Sequence, residues 1–115
     1  MTKEHKLIDI ANDFSVTPGG RYLDEGPFNG QKFRQEFLEP IVSAGKKAIV
    51  ILDGVRGYPS SFLEEAFGGL IRAGYKKDEI LSSFEFKAEK PGFQRFISRI
   101  HNHISAAEDF AKKPK

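Results

Sequence analysis

The sequence contains no cysteine and no tryptophan, and only one methionine. Without cysteine the chain cannot form disulfides, thiolate metal sites or a catalytic thiol. No apolar run approaches the roughly 18 residues that a membrane-spanning helix needs. The first residues also lack the apolar segment of a secretory signal peptide. We therefore expect a cytoplasmic protein that does not enter a membrane.

Neither sign of charge is in large excess, because 18 basic and 16 acidic residues give a net charge of +2. That balance does not predict nucleic-acid binding, which usually requires a strongly basic surface. The 115 residues, 39% of them hydrophobic, match the size and composition of one globular domain. We predict that this domain covers residues 1–108 and that residues 109–115 form a flexible basic tail.

Strand and helix patterns alternate along the chain. The predicted strands are residues 6–11, 47–53 and 83–88, with a further short strand at 21–23 that would pair with the first. The predicted helices are residues 31–42, 62–73 and one that begins at Pro91, whereas residues 76–79 are a loop or a short helical turn. We expect an α/β fold with a mixed, mostly parallel sheet of about four strands and three main helices.

Capping signals indicate where these helices begin. Asn29 is typical of the residue before a helix, and Ser61 with Glu64 three residues later fits a capping box. Pro91 favours the first position of the last helix. Pro40 lies inside the first helix pattern, where proline causes a kink or an early end.

The stretch from Ile49 to Tyr75 is the most informative part of the chain, because it predicts a buried strand, a loop and a long helix. Ligands and partners of open α/β sheets bind beyond the carboxyl ends of the strands, which is where this loop begins. Asp53 ends the strand and fits three roles: a phosphoacceptor, a metal ligand, or a turn residue that accepts backbone hydrogen bonds.

Two serines stand where the loop meets the helix. Ser61 is explained by helix capping, whereas Ser60 fits either a loop hydroxyl or a site of regulation. A phosphate on Ser60 would add a charge of about −1.5 to −2 near a helix N-terminus, which favours anions, although Glu64 and Glu65 would oppose it. A nucleophilic serine would need a base, and the G-x-S-x-G pattern of hydrolases is absent.

One glycine pair and three arginines outside this loop each fit either a structural or a functional role. Gly68 and Gly69 lie inside the helix, where each costs roughly 0.5–1 kcal/mol relative to alanine. They predict either tight packing onto the sheet or a flat contact surface for a partner. Arg21 fits an anion ligand or an ion-pair partner within the fold. Arg95 and Arg99, four residues apart, indicate a solvated face or a weakly signalled nucleic-acid contact.

Two long stretches resemble a known family. Residues 13–42 contain GGRY and the pattern GP..G..FR...L.P, and residues 51–75 contain SSFLEEAFGGL.R.GY. These stretches resemble the bacterial STAS-like domain family of unassigned function. Its members look similar in fold to the STAS domains of anti-sigma factor antagonists, and some occur with ATPases of the histidine-kinase type.

The resemblance implies a phosphoacceptor. In STAS domains a serine that opens the helix after the central strand is phosphorylated by a partner kinase, and this controls binding. Ser60 would correspond to that serine here. Pro59 and Phe62 stand where STAS domains carry an acid and a glycine.

We therefore expect a non-catalytic regulatory module that binds another protein, without cofactor or metal. The expected partner is a histidine-kinase-type ATPase or another regulator. The expected contact residues are Arg21, Asp53, Gly54, Arg56, Ser60, Ser61 and Glu64. The alternative is a nucleotide- or anion-binding domain, or a small enzyme, with a pocket around Asp53, Ser60 and Arg21. A third hypothesis is a nucleic-acid accessory protein that uses Arg95, Arg99 and the tail.

Overall fold

The computed structural model describes residues 6–112 and contains one small sheet flanked by helices. The strands β1 (Lys6–Asp9), β2 (Ala48–Ile51) and β3 (Phe84–Lys87) pair in that order, and both pairings are parallel. The predicted α/β fold is therefore confirmed. The expectation of about four strands in a mixed sheet is not, because the described residues form three strands that are all parallel.

The first strand is shorter than the predicted 6–11, because a short π-helical segment (Ile10–Phe14) follows it directly. Apart from this segment and one 3-10 turn, residues 6–112 contain four helices, and two of these contain a widened, π-helical turn. Helix α1 (residues 30–43) consists of Gly30–Phe33, Arg34–Leu38 and Glu39–Ser43. Helix α2 (residues 60–72) consists of Ser60–Leu63, Glu64–Gly68 and Gly69–Arg72. Helix α3 is Lys77–Ser83 and α4 is Gln94–Lys112. None of these helices is long and apolar enough to cross a membrane.

One face of the sheet carries the hydrophobic core. Ile8, Val50 and Phe84 are buried on that face, whereas Ile49 on the other face is half-buried and Leu7 is exposed. Both strand connections step the same way along the sheet, so right-handed crossovers place α1 and α2 on one side of it. Helix α2 contacts both α1 and α4 and is the centre of the helical layer.

Helix α1 begins as predicted and passes through its proline. The side chain of Asn29 accepts a hydrogen bond from the backbone N–H of Lys32 at 2.8 Å, which confirms it as the N-terminal cap. Pro40 does not end the helix. The N–H of Glu39 donates to the carbonyl of Arg34, five residues back. This wide turn precedes Pro40, whose ring would clash with the carbonyl four residues back in a regular α-helix.

The short strand expected at residues 21–23 is wrong. A 3-10 turn (Leu23–Glu25) occupies this part of the chain instead. The carboxylate of Glu25 accepts the backbone N–H groups of Arg21 and Tyr22 at 2.9 and 2.8 Å. Side-chain acceptors close in sequence compete with sheet formation, and here they engage the donors that a strand would use.

Two helix starts also differ from the predictions. Helix α2 begins at Ser60, Pro59 is its cap residue, and no side chain caps it, so the capping box at Ser61 is wrong. Helix α4 begins at Gln94 and not at Pro91. Residues 91–93 form a turn in which Gly92 has a φ of +89°, a backbone conformation that cannot belong to a right-handed helix.

Of the two structures expected for residues 76–79, a loop or a short helical turn, the helical one is confirmed. The carboxylate of Glu79 accepts the backbone N–H of Lys76 at 2.9 Å and so satisfies a free donor at the start of α3. The helix continues through Ser83, which we expected in the following strand. At the end of the chain, residues 109–112 of the expected tail are helical, and residues 113–115 lie outside the described residues.

Candidate functional site

Backbone hydrogen bonds tie the loop after β2 to two other segments of the chain. The N–H of Leu52 donates to the carbonyl of Lys87 at 2.9 Å, and the N–H of Arg56 donates to the carbonyl of Val16 at 2.8 Å. Gly54 has a φ of +95°, and a Cβ there would lie 3.1 Å from the Cβ of Ala11. A side chain at position 54 would therefore strain the loop, because L residues rarely adopt this conformation.

Asp53 holds the connection between β3 and α4. Its two carboxylate oxygens accept the backbone N–H groups of Glu89 and Lys90 at 2.8 and 2.9 Å. Both oxygens therefore have a structural role, which matches the expected turn residue in kind but acts on a loop distant in sequence. No cluster of three or more histidine, aspartate or glutamate residues within 6–112 is arranged to hold a metal ion.

Tyr58 anchors the end of the loop in the core. Its hydroxyl donates to the carbonyl of Leu52 at 2.7 Å, and its ring lies 6.3 Å from that of Phe62 and 5.0 Å from that of Phe96. Burial raises the pKa of the Tyr58 hydroxyl, and the negative charge of Asp53 adds to the shift. The loop therefore enters α2 in a defined position.

Ser60 stands at the exposed start of α2. It is exposed, Ser61 is half-buried, and the next residues of the helix, Phe62 and Leu63, are fully buried. No described residue forms a hydrogen bond with the hydroxyl of Ser60 or of Ser61. Ser60 thus offers an accessible, uncommitted hydroxyl on a rigid support.

One turn further along α2, two glutamates bind three arginines. Glu64 pairs with Arg21 and with Arg72, whose two guanidinium nitrogens lie 2.7 and 2.9 Å from its oxygens. Glu65 contacts the same two arginines at 3.5 and 3.2 Å and also pairs with Arg34. We call Arg21, Arg34, Glu39, Glu64, Glu65 and Arg72 the ion network.

Arg34 is the buried arginine of the ion network, and it joins α1 to α2. Its guanidinium donates to the Glu65 carboxylate, to the Glu65 carbonyl at 2.9 Å and to Glu39 at 2.9 Å. A Cβ at Gly69 would clash with this guanidinium, and a Cβ at Gly68 would lie 2.5 Å from the Glu64 carboxylate. The two glycines therefore make room for the ion network and the neighbouring helices, rather than for the sheet.

Within the ion network, the contacts of Glu64 with Arg21 and Arg72 favour the ionised forms of these three groups. Burial opposes ionisation of Glu64, but hydrogen bonds from Arg72 and Arg21 outweigh it and lower the pKa of this carboxyl. The same contacts with Glu64 raise the pKa of both arginines. On the facing helix, burial lowers the pKa of His103, while the charge of Glu64 opposes that shift.

The family described as a STAS-like domain of unknown function matches residues 29–92. The chain belongs to this family. The match spans α1, β2, α2, α3 and β3, and with them all of the ion network except Arg21. No curated protein and no solved structure matches the chain.

The structure of this STAS-like domain divides the expected site residues into two groups. Arg21 and Glu64 belong to the ion network, and Asp53 is engaged by backbone groups. Arg56 and Ser60 are exposed on the loop and the helix start that follow β2. Of the three residues of the alternative pocket, Asp53 and Arg21 are thus engaged within the fold and Ser60 is exposed.

Sequence reasoning missed the pairings of the ion network of the STAS-like domain. Arg34 and Arg72 were not singled out, and Glu65 only as an acid that opposes a phosphate on Ser60, although all three lie inside the stretches that carry the family resemblance. The available signal was the glycine pair at 68–69, since two adjacent glycines inside a helix indicate a close approach by another group. It also missed that Arg95 and Arg99 line a cleft together with Arg56.

Proposed function

We propose that this STAS-like domain is a non-catalytic, cytoplasmic regulatory module of bacterial signalling that binds another protein through the start of α2 and the loop before it. The observation that carries the proposal is Ser60, an exposed and uncommitted hydroxyl at the start of a helix whose following residues are buried. A group in this position can be modified without disturbing the core.

A phosphate on Ser60 changes the contact surface and leaves the fold unchanged. It adds a charge of about −1.5 to −2 close to the α2 N-terminus, where backbone N–H groups favour negative charge. The nearest acid of the helix, Glu64, is already neutralised by Arg21 and Arg72. The repulsion expected from the sequence is therefore reduced. The added charge changes which partner proteins can bind the start of α2.

The partner class follows from the family resemblance. STAS domains act with partner kinases that modify the serine at this helix start, so a histidine-kinase-type ATPase or a related regulator is the partner that we propose. An enzyme or nucleotide-binding pocket at Asp53, Ser60 and Arg21 is less well supported, because Asp53 and Arg21 are already engaged within the fold.

The test compares three forms of the protein as bait in the native host: wild type, Ser60→Asp and Ser82→Asp. Ser82 is an exposed serine near the end of α3, so Ser82→Asp makes the same change in charge away from the proposed surface. Bound proteins and phosphorylated positions are read by mass spectrometry. We expect one ATPase-like partner to be retained by wild type and Ser82→Asp and lost by Ser60→Asp.

Phosphate mapped to Ser60 would support control by modification. Identical partners for all three baits, together with an unmodified Ser60, would contradict the proposed regulation. A bound nucleotide in the purified wild type would favour the alternative of a nucleotide-binding domain.

A further inference from the structure

A cleft of about 470 Å³ lies between the loop after β2 and the first turns of α4. Residues 56–59 form one side, and Arg95, Phe96 and Arg99 form the other, with residues 17–18 at the end. The cleft is open to solvent along its length. It is separate from the ion network, which shares none of its lining residues.

Three arginines from two parts of the fold converge on this cleft. Arg56 comes from the loop, and Arg95 and Arg99 come from successive turns of α4. The guanidinium carbons of Arg95 and Arg99 lie 5.0 and 5.4 Å from the centroid of the Phe96 ring. Both groups are therefore held against the same aromatic ring, which supports cations through its π-face.

These arginines differ from those of the ion network because no carboxylate in residues 6–112 balances their charges. No carboxylate of residues 6–112 forms an ion pair with Arg56, Arg95 or Arg99, and none lines the cleft. By contrast, Arg21, Arg34 and Arg72 each pair with at least one glutamate. Three like charges around one space repel each other, and an anion bound between them would relieve this repulsion.

The backbone under the cleft is fixed before any ligand arrives. Phe96 and Tyr58 are buried and pack with their ring centroids 5.0 Å apart, and the Tyr58 hydroxyl is bonded to Leu52. The backbone N–H of Arg56 is bonded to Val16. Because these supports are rigid, binding costs less conformational entropy than it would at a flexible basic surface.

We propose that the cleft formed by Arg56, Arg95 and Arg99 binds the phosphoryl group of a phosphate monoester. Planar guanidinium groups form paired hydrogen bonds with phosphate oxygens, and clusters of arginine recognise phosphorylated groups in this way. The open shape suits a phosphoryl group that projects from a larger molecule, since sites for free small molecules usually enclose most of the ligand. This site does not depend on modification of Ser60.

The experiment is an NMR titration of the ¹⁵N-labelled protein with three probes: inorganic phosphate, N-acetyl-phosphoserine amide and AMP. The variants are Arg95→Gln/Arg99→Gln, Arg56→Gln and the matched control Lys46→Gln/Lys47→Gln. Lys46 and Lys47 are exposed and precede β2, at the opposite end of that strand from Arg56. All four substituted side chains of the two double variants are exposed, so both variants are expected to melt like the wild type.

For wild type and for Lys46→Gln/Lys47→Gln we expect saturable shifts centred on residues 56–59 and 95–99. We expect at least tenfold weaker binding for Arg95→Gln/Arg99→Gln, and weaker binding for Arg56→Gln from the other side of the cleft. Equal affinity for phosphoserine amide and AMP assigns the site to the phosphoryl group alone, as a protein-borne phosphate requires. Tighter binding of AMP assigns it to a free nucleotide phosphate. Absence of saturable shifts, or equal weakening in both double variants, overturns the proposal.

Discussion

Glu65 shows at the scale of single residues how the charges of this domain are divided. Its side chain is only 6% exposed and contacts Arg34, which is 11% exposed, whereas Arg72 on the rim is 47% exposed. Buried charges are expensive unless they are paired and hydrogen-bonded. The value of each member of the ion network therefore depends on how far it is withdrawn from water.

Replacing Glu65 with glutamine should destabilise the domain strongly. The substitution preserves the shape of the side chain but leaves Arg34 buried with only Glu39 as a charged partner. We expect the free energy of unfolding to fall by about 3 kcal/mol, as when one partner of a buried ion pair is removed. Urea denaturation followed by circular dichroism measures the change.

Arg72→Gln is the control for that substitution within the same network. Because Arg72 is half exposed, its loss should cost less than about 1 kcal/mol. Similar losses for Arg72→Gln and Glu65→Gln would contradict the distinction between the buried and the exposed parts of the ion network.

At the scale of elements, the close contact between α1 and α2 depends on one glycine. A Cβ at Gly30, the first residue of α1, would lie 2.7 Å from the carbonyl oxygen of Phe62 and 3.2 Å from the backbone nitrogen of Ala66. These are backbone atoms of α2 and cannot rotate away. The two helices therefore approach closely at this point only because position 30 has no side chain.

Gly30→Ala should force α1 and α2 apart. Alanine is the better helix former by about 1 kcal/mol, but overpacking of a buried contact typically costs about 1–3 kcal/mol, so we expect a net loss of stability. Gly57→Ala is the matched control, because nothing lies within 4 Å of a Cβ there and its backbone φ is not positive. Thermal denaturation should show a lower Tm for Gly30→Ala alone. An unchanged Tm for Gly30→Ala would show that the helices can separate without cost.

The helices and strands also show how much of the secondary structure could be predicted from the sequence. The strands around Val50 and Phe86 and the helices that contain Phe33 and Phe62 were predicted, because hydrophobic periodicity is a local property of the chain. The starts of α2 and α4 were not, because Ser61 and Pro91 carry the usual signals in places where the tertiary contacts require another boundary. Local signals determine which elements form more reliably than where they begin.

At the scale of the whole molecule, titratable groups between α2 and α4 make the stability of the domain decrease at acidic pH. His103 faces Glu64, Arg21 and Arg99, and burial holds its pKa below the ordinary value of 6.5. The pKa of Glu64 is likewise below its ordinary value of 4.5, because Arg72 and Arg21 outweigh the effect of burial. In both cases the unfolded chain binds a proton more readily than the folded domain does.

Stability should therefore decrease on acidification in two stages. It is fully present above pH 6.5, decreases as the pH falls below 6.5 through the lowered pKa of His103, and decreases again below pH 4.5 through the lowered pKa of Glu64. Unfolding free energies measured from pH 8 to pH 3 should show this. His103→Gln should flatten the first stage and leave the second. A His103→Gln profile identical to that of the wild type in the first stage would contradict the assignment.

The sequence alone determined the class of this protein: an α/β domain of the STAS-like family, with an apolar central strand followed by a loop and a long helix. Those features depend on hydrophobic periodicity and on local motifs, which neighbouring residues carry by themselves. Only the tertiary structure decided which polar residues are engaged and which are free. It brings Arg21, Arg34 and Glu65 together, occupies Asp53 with a distant loop, and places Arg56 beside Arg95. Pairing between charges depends on distance in space, and residues far apart in the sequence do not reveal that distance.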